Sequence, residues 1–271
     1  MTGWPGTLAL AGAGKMGTAM LRGWLNAGLD AEGITVMEPA SSDELAALQK
    51  AHGFALNPPL APTPDVLVLA VKPQSLHAAA PLLQDFAGPQ TLVVSVIAGK
   101  TLGDLAARFP RVHAFVRVMP NTPAAVGRGA AAGAANPSVS ATQRGWTETL
   151  LRTVGMFDWV ADEALIDAVT ALSGSGPAYV FALVEAMARA GEAVGLPLDL
   201  AMRLARATVE GAGELLAREP GIPAAILRQN VTSPGGTTAA ALAILQGEDS
   251  LDGLLARAVR AARDRARQLS G

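Results

Sequence analysis

The 271-residue chain has no cysteine, and that absence removes disulfides, thiolate nucleophiles and cysteine-based zinc sites together. Histidine is scarce: His52, His77 and His113 share no motif, and no two carboxylates or histidines stand at metal-ligand spacing. Aromatic residues make up only 4%, so much of a core drawn from the 50% hydrophobic content must be Ala, Val and Leu. Charge is thin and nearly balanced: 21 Lys and Arg against 23 Asp and Glu leave −2, which gives no basic footprint for nucleic acid. Five arginines do cluster, at Arg257, Arg260, Arg263, Arg265 and Arg267, but Asp264 lies among them and the pattern is that of a solvated helix face. No stretch of about 18 residues is free of charges and turn formers. The N-terminus lacks the basic-then-apolar pattern of a secretion signal. The expectation is a soluble, cytoplasmic protein with no membrane span.

Glycine is abundant, at 29 residues, and one group of glycines organises the rest. Gly12-Ala13-Gly14-Lys15-Met16-Gly17 follows the apolar run Leu8-Ala9-Leu10-Ala11 and leads into Thr18-Ala19-Met20-Leu21, which reads as strand, glycine turn, helix. Gly12 lets the chain leave the strand in a tight turn. Gly14 has no Cβ to hold a pyrophosphate away, and Gly17 lets the helix pack close to the sheet. The helix start offers unpaired N–H groups and the positive end of its dipole to a phosphate. A second predicted strand, 34–37, ends at Glu38, about 20 residues beyond the glycines, where a carboxylate hydrogen-bonds the adenosine ribose hydroxyls. No Lys or Arg occurs between Glu38 and Gln49, although Ser41 and Ser42 could hydrogen-bond a 2′-phosphate. This favours NADH as the cofactor and leaves NADPH open.

Further strands are predicted at 66–71, 91–97, 112–119 and 156–160, with an Ala/Gly-rich edge strand at 127–135. Helices are predicted at 18–26, 43–52, 76–86, 102–109 and 141–154, and a Pro-rich connection at 58–64. The alternation implies a doubly wound, mainly parallel sheet. Past Asp162 strands stop, and helices are predicted at 164–172, 177–194, 198–218, 223–230, 237–246 and 251–269. The fold class is therefore α/β, with a dinucleotide-binding domain at 1–161 and an all-helical domain at 162–271. The helical half carries more apolar surface than one six-helix cluster can bury, as Val180, Phe181, Leu183, Val184 and Met187 illustrate. It is expected to form a homodimer through an extensive apolar interface.

Ligands of open parallel sheets sit beyond the carboxyl ends of the strands. Besides the glycine loop, Val71-Lys72-Pro73-Gln74 and Asn121-Thr122-Pro123 fall at such ends, and their prolines stiffen the turns. Lys72 is either a cofactor ribose or phosphate ligand or a surface lysine. Asn121 suits a nicotinamide amide or ribose, or simply forms a turn. The helical half adds two polar turns, Ser173-Gly174-Ser175-Gly176-Pro177 and Thr232-Ser233-Pro234-Gly235-Gly236-Thr237-Thr238. The second gathers hydroxyls, N–H groups and a helix N-terminus, which suits a small carboxylate without an arginine; the simpler reading is a helix N-cap. With acid–base candidates so sparse, the chemistry fits hydride transfer onto an already protonated imine, where the cofactor brings the hydride and the substrate its own proton.

Five elements in order give the chain a resemblance, over essentially its full length, to pyrroline-5-carboxylate reductases. They are Gly12-x-Gly14-x-Met16, Val71-Lys72-Pro73-Gln74, Arg117-Val118-Met119-Pro120-Asn121-Thr122-Pro123, Ser173-Gly174-Ser175-Gly176-Pro177-Ala178-Tyr179 and Val231-Thr232-Ser233-Pro234-Gly235-Gly236-Thr237-Thr238. The last, close to the family's signature, is the most specific. The resemblance implies a Rossmann-like first domain, reduction of 1-pyrroline-5-carboxylate to L-proline by NAD(P)H, and an intertwined homodimer sometimes built into larger rings. It also implies residue roles. Ser233, Gly235, Gly236, Thr237 and Thr238 would hold the substrate carboxylate, with Thr238 nearest the ring nitrogen as the catalytic hydroxyl. Gly12, Gly14, Lys15, Met16, Gly17, Glu38, Val71, Lys72, Pro73 and Asn121 would lie at the cofactor. Glu38-Pro39-Ala40-Ser41-Ser42 departs from the polar cluster many relatives carry for the 2′-phosphate, so cofactor preference does not transfer. A related imine reductase or a 3-hydroxyacid dehydrogenase is the alternative. The latter needs a lysine base on the first long helix of the helical domain, and 178–194 contains no lysine.

Overall fold

The computed structural model describes residues 3–59, 62–248 and 250–270. Eight strands, β1 (Leu8–Ala11), β2 (Ile34–Met37), β3 (Ala55–Leu56), β4 (Val66–Leu69), β5 (Leu92–Ser95), β6 (Ala114–Met119), β7 (Gly129–Ala135) and β8 (Gly155–Trp159), form one sheet. Its order is β3-β2-β1-β4-β5-β6-β7-β8, and every pairing is parallel except β6 with β7. Strands β1, β4 and β5 are buried along their whole length, as expected when helices cover both faces of a parallel sheet. Side chains alternate between two cores: Leu8 and Leu10 join the one around Trp24 and Phe54, whereas Ala9 and Ala11 join the one around Phe109 and Phe115. The covering helices are α1 (Lys15–Asn26), α2 (Asp43–His52), α3 (Leu76–Leu83), α4 (Leu102–Arg108) and α5 (Ala141–Arg152).

Three expectations change. The strand 127–135 is not an edge: β7 lies between β6 and β8, and β8 is the outermost strand. Its small residues admit close neighbours, since a Cβ at Gly133 would stand 2.9 Å from the Phe157 ring. The helix expected at 164–172 is present but irregular, a 3₁₀ turn (Glu163–Leu165), a short α6 (Ile166–Val169) and a π-helical stretch (Thr170–Gly174) that takes in Ser173 and Gly174 of the polar turn expected at 173–177. Ser175 N–H closes on the Thr170 carbonyl at 2.8 Å, while the Thr170 and Ser173 hydroxyls bond back to the carbonyls of Ile166 and Val169. Such back-bonding competes with the regular helical ladder. Third, α1 starts at Lys15 and not at Thr18, because Thr18 N–H already closes on the Gly14 carbonyl at 2.9 Å. The two-residue β3 escaped the sequence reading. Leu60 and Ala61 of the 58–64 connection lie outside the described residues.

By its contacts the chain divides into two compact units, one up to Ser175 that the chain rejoins from Ala262 onward, the other Gly176–Ala261. This division falls later than the boundary at 161 read from the sequence. In the first unit, buried Arg117 of β6 gathers Glu163 at 3.2 Å, Asp167 at 3.4 Å and the Ser270 hydroxyl at 3.3 Å. The last turn of the chain thereby docks on the sheet. It passes so close to Gly99 that a Cβ there would stand 2.8 Å from the Leu269 carbonyl oxygen.

The second unit contains α7 (Gly176–Ala193), α8 (Leu198–Arg218), α9 (Ala224–Asn230), α10 (Thr237–Leu245) and most of α11 (Leu251–Ser270). Helices α7 and α8 meet through small side chains, and a Cβ on Gly191 would stand 3.0 Å from that of Ala201. Among the described residues of this unit only Ala188, Ala201 and Ala205 are buried. No side chain larger than alanine is buried in it, while Phe181 is 63% exposed and Leu204 50%. A helical unit with no large buried side chain has no core of its own, and its apolar faces call for a partner. No helix among the described residues is long and apolar enough to cross a membrane.

Candidate active site

The strand order reverses at β1, between β2 and β4, and a cleft of about 720 Å³ opens beyond the carboxyl ends of these strands. Such a switch-point crevice is where open α/β sheets take their ligands, and the volume is that of a small-molecule site. Gly12 and Gly14 form its floor, Glu38, Pro39, Asn57 and Pro58 one side, and Val71, Lys72 and the α3 side chains Ala78, Ala79 and Leu82 the other.

Each glycine has a separate reason to lack a side chain. Gly12 has φ +92°, and a Cβ there would lie 2.7 Å from the Ala70 carbonyl and the Val71 nitrogen. A Cβ on Gly17 would collide with the Gly12 carbonyl, so Gly17 is needed by the loop itself as well as by the helix. Around Gly14 nothing stands within 4 Å of a Cβ position. The open side faces no protein atom and leaves the backbone free to approach a ligand. Gly14 is also the N-cap of α1 and supplies no capping side chain, so the first-turn N–H groups are left for an anion. The Thr18 hydroxyl bonds to the Ala13 carbonyl at 2.7 Å and fixes the turn.

Glu38 closes the far side of the loop. Its carboxylate accepts from the N–H of Ala13 at 2.8 Å and of Ala40 at 3.0 Å. Its main chain is held in turn by Asn57, whose Oδ1 accepts the Glu38 N–H at 2.8 Å and whose Nδ2 donates to the Glu38 carbonyl at 2.9 Å. An ionised carboxylate retains further lone pairs for ribose hydroxyls. Lys72 is exposed at the cleft and forms no ion pair with a described residue. The glycine cradle, the open helix start and the acid at the end of β2 together fit a nicotinamide dinucleotide.

Of the residues expected at the cofactor, Gly12, Gly14, Glu38, Val71 and Lys72 line this cleft, whereas Lys15, Met16, Gly17, Pro73 and Asn121 do not. Met16 packs against the core. Asn121 is buried, with Nδ2 donating to the Ser173 carbonyl at 3.0 Å and Oδ1 accepting the Ala130 N–H at 2.8 Å. Its amide clamps the end of β6 to β7 and to the π-helical stretch. The residues missed in the sequence are Asn57 and the α3 wall. Asn57 carried a usable signal, since asparagine is among the few residues that tolerate positive φ, here 47°. His52, His77 and His113 are exposed, and none lines the cleft.

In the second unit the turn before α10 has Gly235 at φ +70° and Gly236 as N-cap, with Gly236 N–H closing on the Ser233 carbonyl at 3.0 Å. No side chain caps this helix. The hydroxyls of Ser233, Thr237 and Thr238 therefore do not serve as the N-cap that the simpler reading required. They stand beside a helix start whose N–H groups are open.

Comparison with known proteins places this arrangement. Residues 163–269 match the family model for pyrroline-5-carboxylate reductase dimerisation, and residues 7–99 match that for coenzyme F420-dependent NADP oxidoreductase. A pyrroline-5-carboxylate reductase of Pseudomonas aeruginosa is 39% identical over 97% of this chain and 96% of its own length. The chain belongs to the pyrroline-5-carboxylate reductase family. A second reductase, from Synechocystis, is 40% identical over 97% of both chains. The solved pyrroline-5-carboxylate reductase of Coxiella burnetii superposes with a TM-score of 0.90 at 36% identity, covering 98% of this chain and 99% of that one. The Plasmodium falciparum pyrroline carboxylate reductase, solved with NADP bound, gives 0.77 at 27% identity and 98% coverage of both chains. Membership of the reductase family thus spans the nucleotide cleft and the helical unit alike.

Proposed function

We infer that this protein reduces the cyclic imine 1-pyrroline-5-carboxylate to L-proline, the last step of proline synthesis, as an NAD(P)H-dependent oxidoreductase acting on a C–N double bond. Family membership along the whole chain carries the reading, and the open cradle at Gly14 supports it. When bound, the dihydronicotinamide supplies the hydride. The loop 12–17 would hold the pyrophosphate on the N–H groups of α1, Glu38 would take the ribose hydroxyls, and Lys72 would meet the negative charge of the cofactor. Ser233, Gly235, Gly236 and Thr237 bind the substrate carboxylate through N–H groups and hydroxyls, and the Thr238 hydroxyl lies nearest the ring nitrogen.

The charge balance explains why so little acid–base machinery is present. A protonated imine loses its positive charge when hydride reaches the ring carbon, so no oxyanion has to be stabilised. The protein has to orient the substrate and exclude water, and proximity of that kind is worth roughly 7–11 kcal/mol. The exposed apolar faces of 176–261 are covered by a second copy in a homodimer. Assembly of dimers into a larger ring and a cytoplasmic location belong to the same proposal.

Initial rates of cofactor oxidation with 1-pyrroline-5-carboxylate test it, NADH and NADPH side by side. Oxidation that depends on the imine and yields proline is the expected result. Oxidation of neither cofactor with the imine present would remove the substrate assignment.

A further inference from the structure

The cleft holds its acid more firmly than ribose binding alone requires. Glu38 ends β2 and could in principle swing aside to admit a 2′-phosphate. Two sets of bonds oppose that movement. The carboxylate is fixed by the N–H groups of Ala13 and Ala40, at 2.8 and 3.0 Å, and therefore points at the glycine loop. The main chain of Glu38 is fixed on both sides by the Asn57 amide, at 2.8 and 2.9 Å. Asn57 pays for this grip with φ 47°, and it is the only described residue other than glycine with positive φ. Backbone strain at a ligand clamp persists where surrounding bonds over-determine it.

The groups nearby offer a 2′-phosphate hydroxyls, Ser41 donating to the Ser42 carbonyl at 3.5 Å, but no unpaired cation. The Ser42 hydroxyl caps α2 by accepting the Leu45 N–H at 3.2 Å, and Arg22 is ion-paired with Glu44. Among the described residues Lys72 is the only cation lining the cleft, and it follows β4, on the opposite side of β1 from β2. A phosphate on the ribose would meet a fixed like charge with no cation on that side of the cleft among the described residues, and like charges at short range repel.

We propose that Asn57 is a positioning residue for cofactor selection: its clasp on Glu38 turns the end of β2 into an immobile carboxylate that admits NADH and rejects NADPH. The proposal rests on the nicotinamide-dependent reading above and names which form of the cofactor the site selects. Asn57 touches the main chain of Glu38 and acts on the cofactor through it.

The test measures dissociation constants for NADH and NADPH by nucleotide fluorescence on the whole protein without imine, so that it is independent of turnover. The wild type is expected to bind NADH at least about tenfold more tightly than NADPH, which corresponds to about 1.4 kcal/mol. Glu38→Gln keeps the shape and removes the charge, and should bring the ratio to about threefold or less. Asn57→Gly tolerates the same φ and lacks the clasp. It should lower the ratio in the same direction and speed hydrogen exchange at the Glu38 amide of the nucleotide-free protein. Wild-type affinities that are equal, or higher for NADPH, would overturn the proposal. So would Asn57→Gly weakening both nucleotides by one factor, as a purely structural role predicts. Selective NADH binding without imine turnover would sustain this proposal and remove the substrate assignment alone. Binding of neither nucleotide would overturn both.

Discussion

Asn121 and Ser173 stand far apart in sequence, yet the Asn121 side chain donates to the Ser173 carbonyl at 3.0 Å. The other end of the amide accepts the Ala130 N–H at 2.8 Å. One side chain thus ties the end of β6 to the neighbouring strand and to the π-helical segment that leads into α7. Asn121→Ala leaves a donor and an acceptor without partners and is expected to lower unfolding stability in urea by about 1–3 kcal/mol. Nucleotide affinity should change less than about threefold, or under 1 kcal/mol. A larger loss of affinity at unchanged stability would make Asn121 a cofactor ligand after all.

The glycine loop separates two kinds of damage. Gly14→Ala adds a methyl into open space, so thermal stability should stay near that of the wild type while nucleotide affinity falls at least about tenfold. Gly17→Ala drives its methyl into the Gly12 carbonyl and should lower the melting temperature as well as the affinity. Thermal melts and nucleotide titration of both variants check the pair. Equal melting temperatures for the two would contradict this account of the loop.

Thr238 lies in the first turn of α10, where it takes no part in capping. In the role proposed above this hydroxyl bonds substrate and no protein group, so its removal should leave the melting temperature unchanged. Thr238→Ala is expected to lower kcat/KM for the imine by the value of one lost hydrogen bond, about 1–3 kcal/mol. Steady-state kinetics with the imine varied at saturating cofactor measure it. Unchanged kcat/KM would place the reacting nitrogen elsewhere.

The helical unit buries only alanines on its own, so folding and association should be one event. The melting temperature is expected to rise with protein concentration, because a partner that binds only the folded state stabilises by mass action. Phe181→Glu, which places charge on an exposed apolar face of α7, should shift the protein toward monomer and lower its stability together. A well-folded monomer at micromolar concentration by sedimentation would refute the dimer.

Much of the architecture was legible before any coordinates. Strands β1, β4 and β5 are short apolar runs between turn formers. The glycine loop carries its reasons locally, and Glu38 falls where the second strand must end. Those features depend on neighbours within a few positions, through turn geometry, periodicity and the need to bury both faces of a parallel strand. What the chain does with Asn57, Asn121 and Arg117 depends on residues brought near only by folding. An asparagine just before a Pro-rich connection looks like any turn former until β3 sets it beside Glu38. An asparagine before Thr-Pro looks like a cofactor ligand until the π-helical segment takes its amide. Arg117 lies in a buried strand, and only the return of α11 gives it Ser270 as well as Glu163 and Asp167. The chain's local chemistry determined which elements form and where a dinucleotide can lie. Tertiary structure decided which polar side chains are left for ligands, because a buried amide or guanidinium takes whatever partners the fold delivers, and no local pattern encodes their arrival.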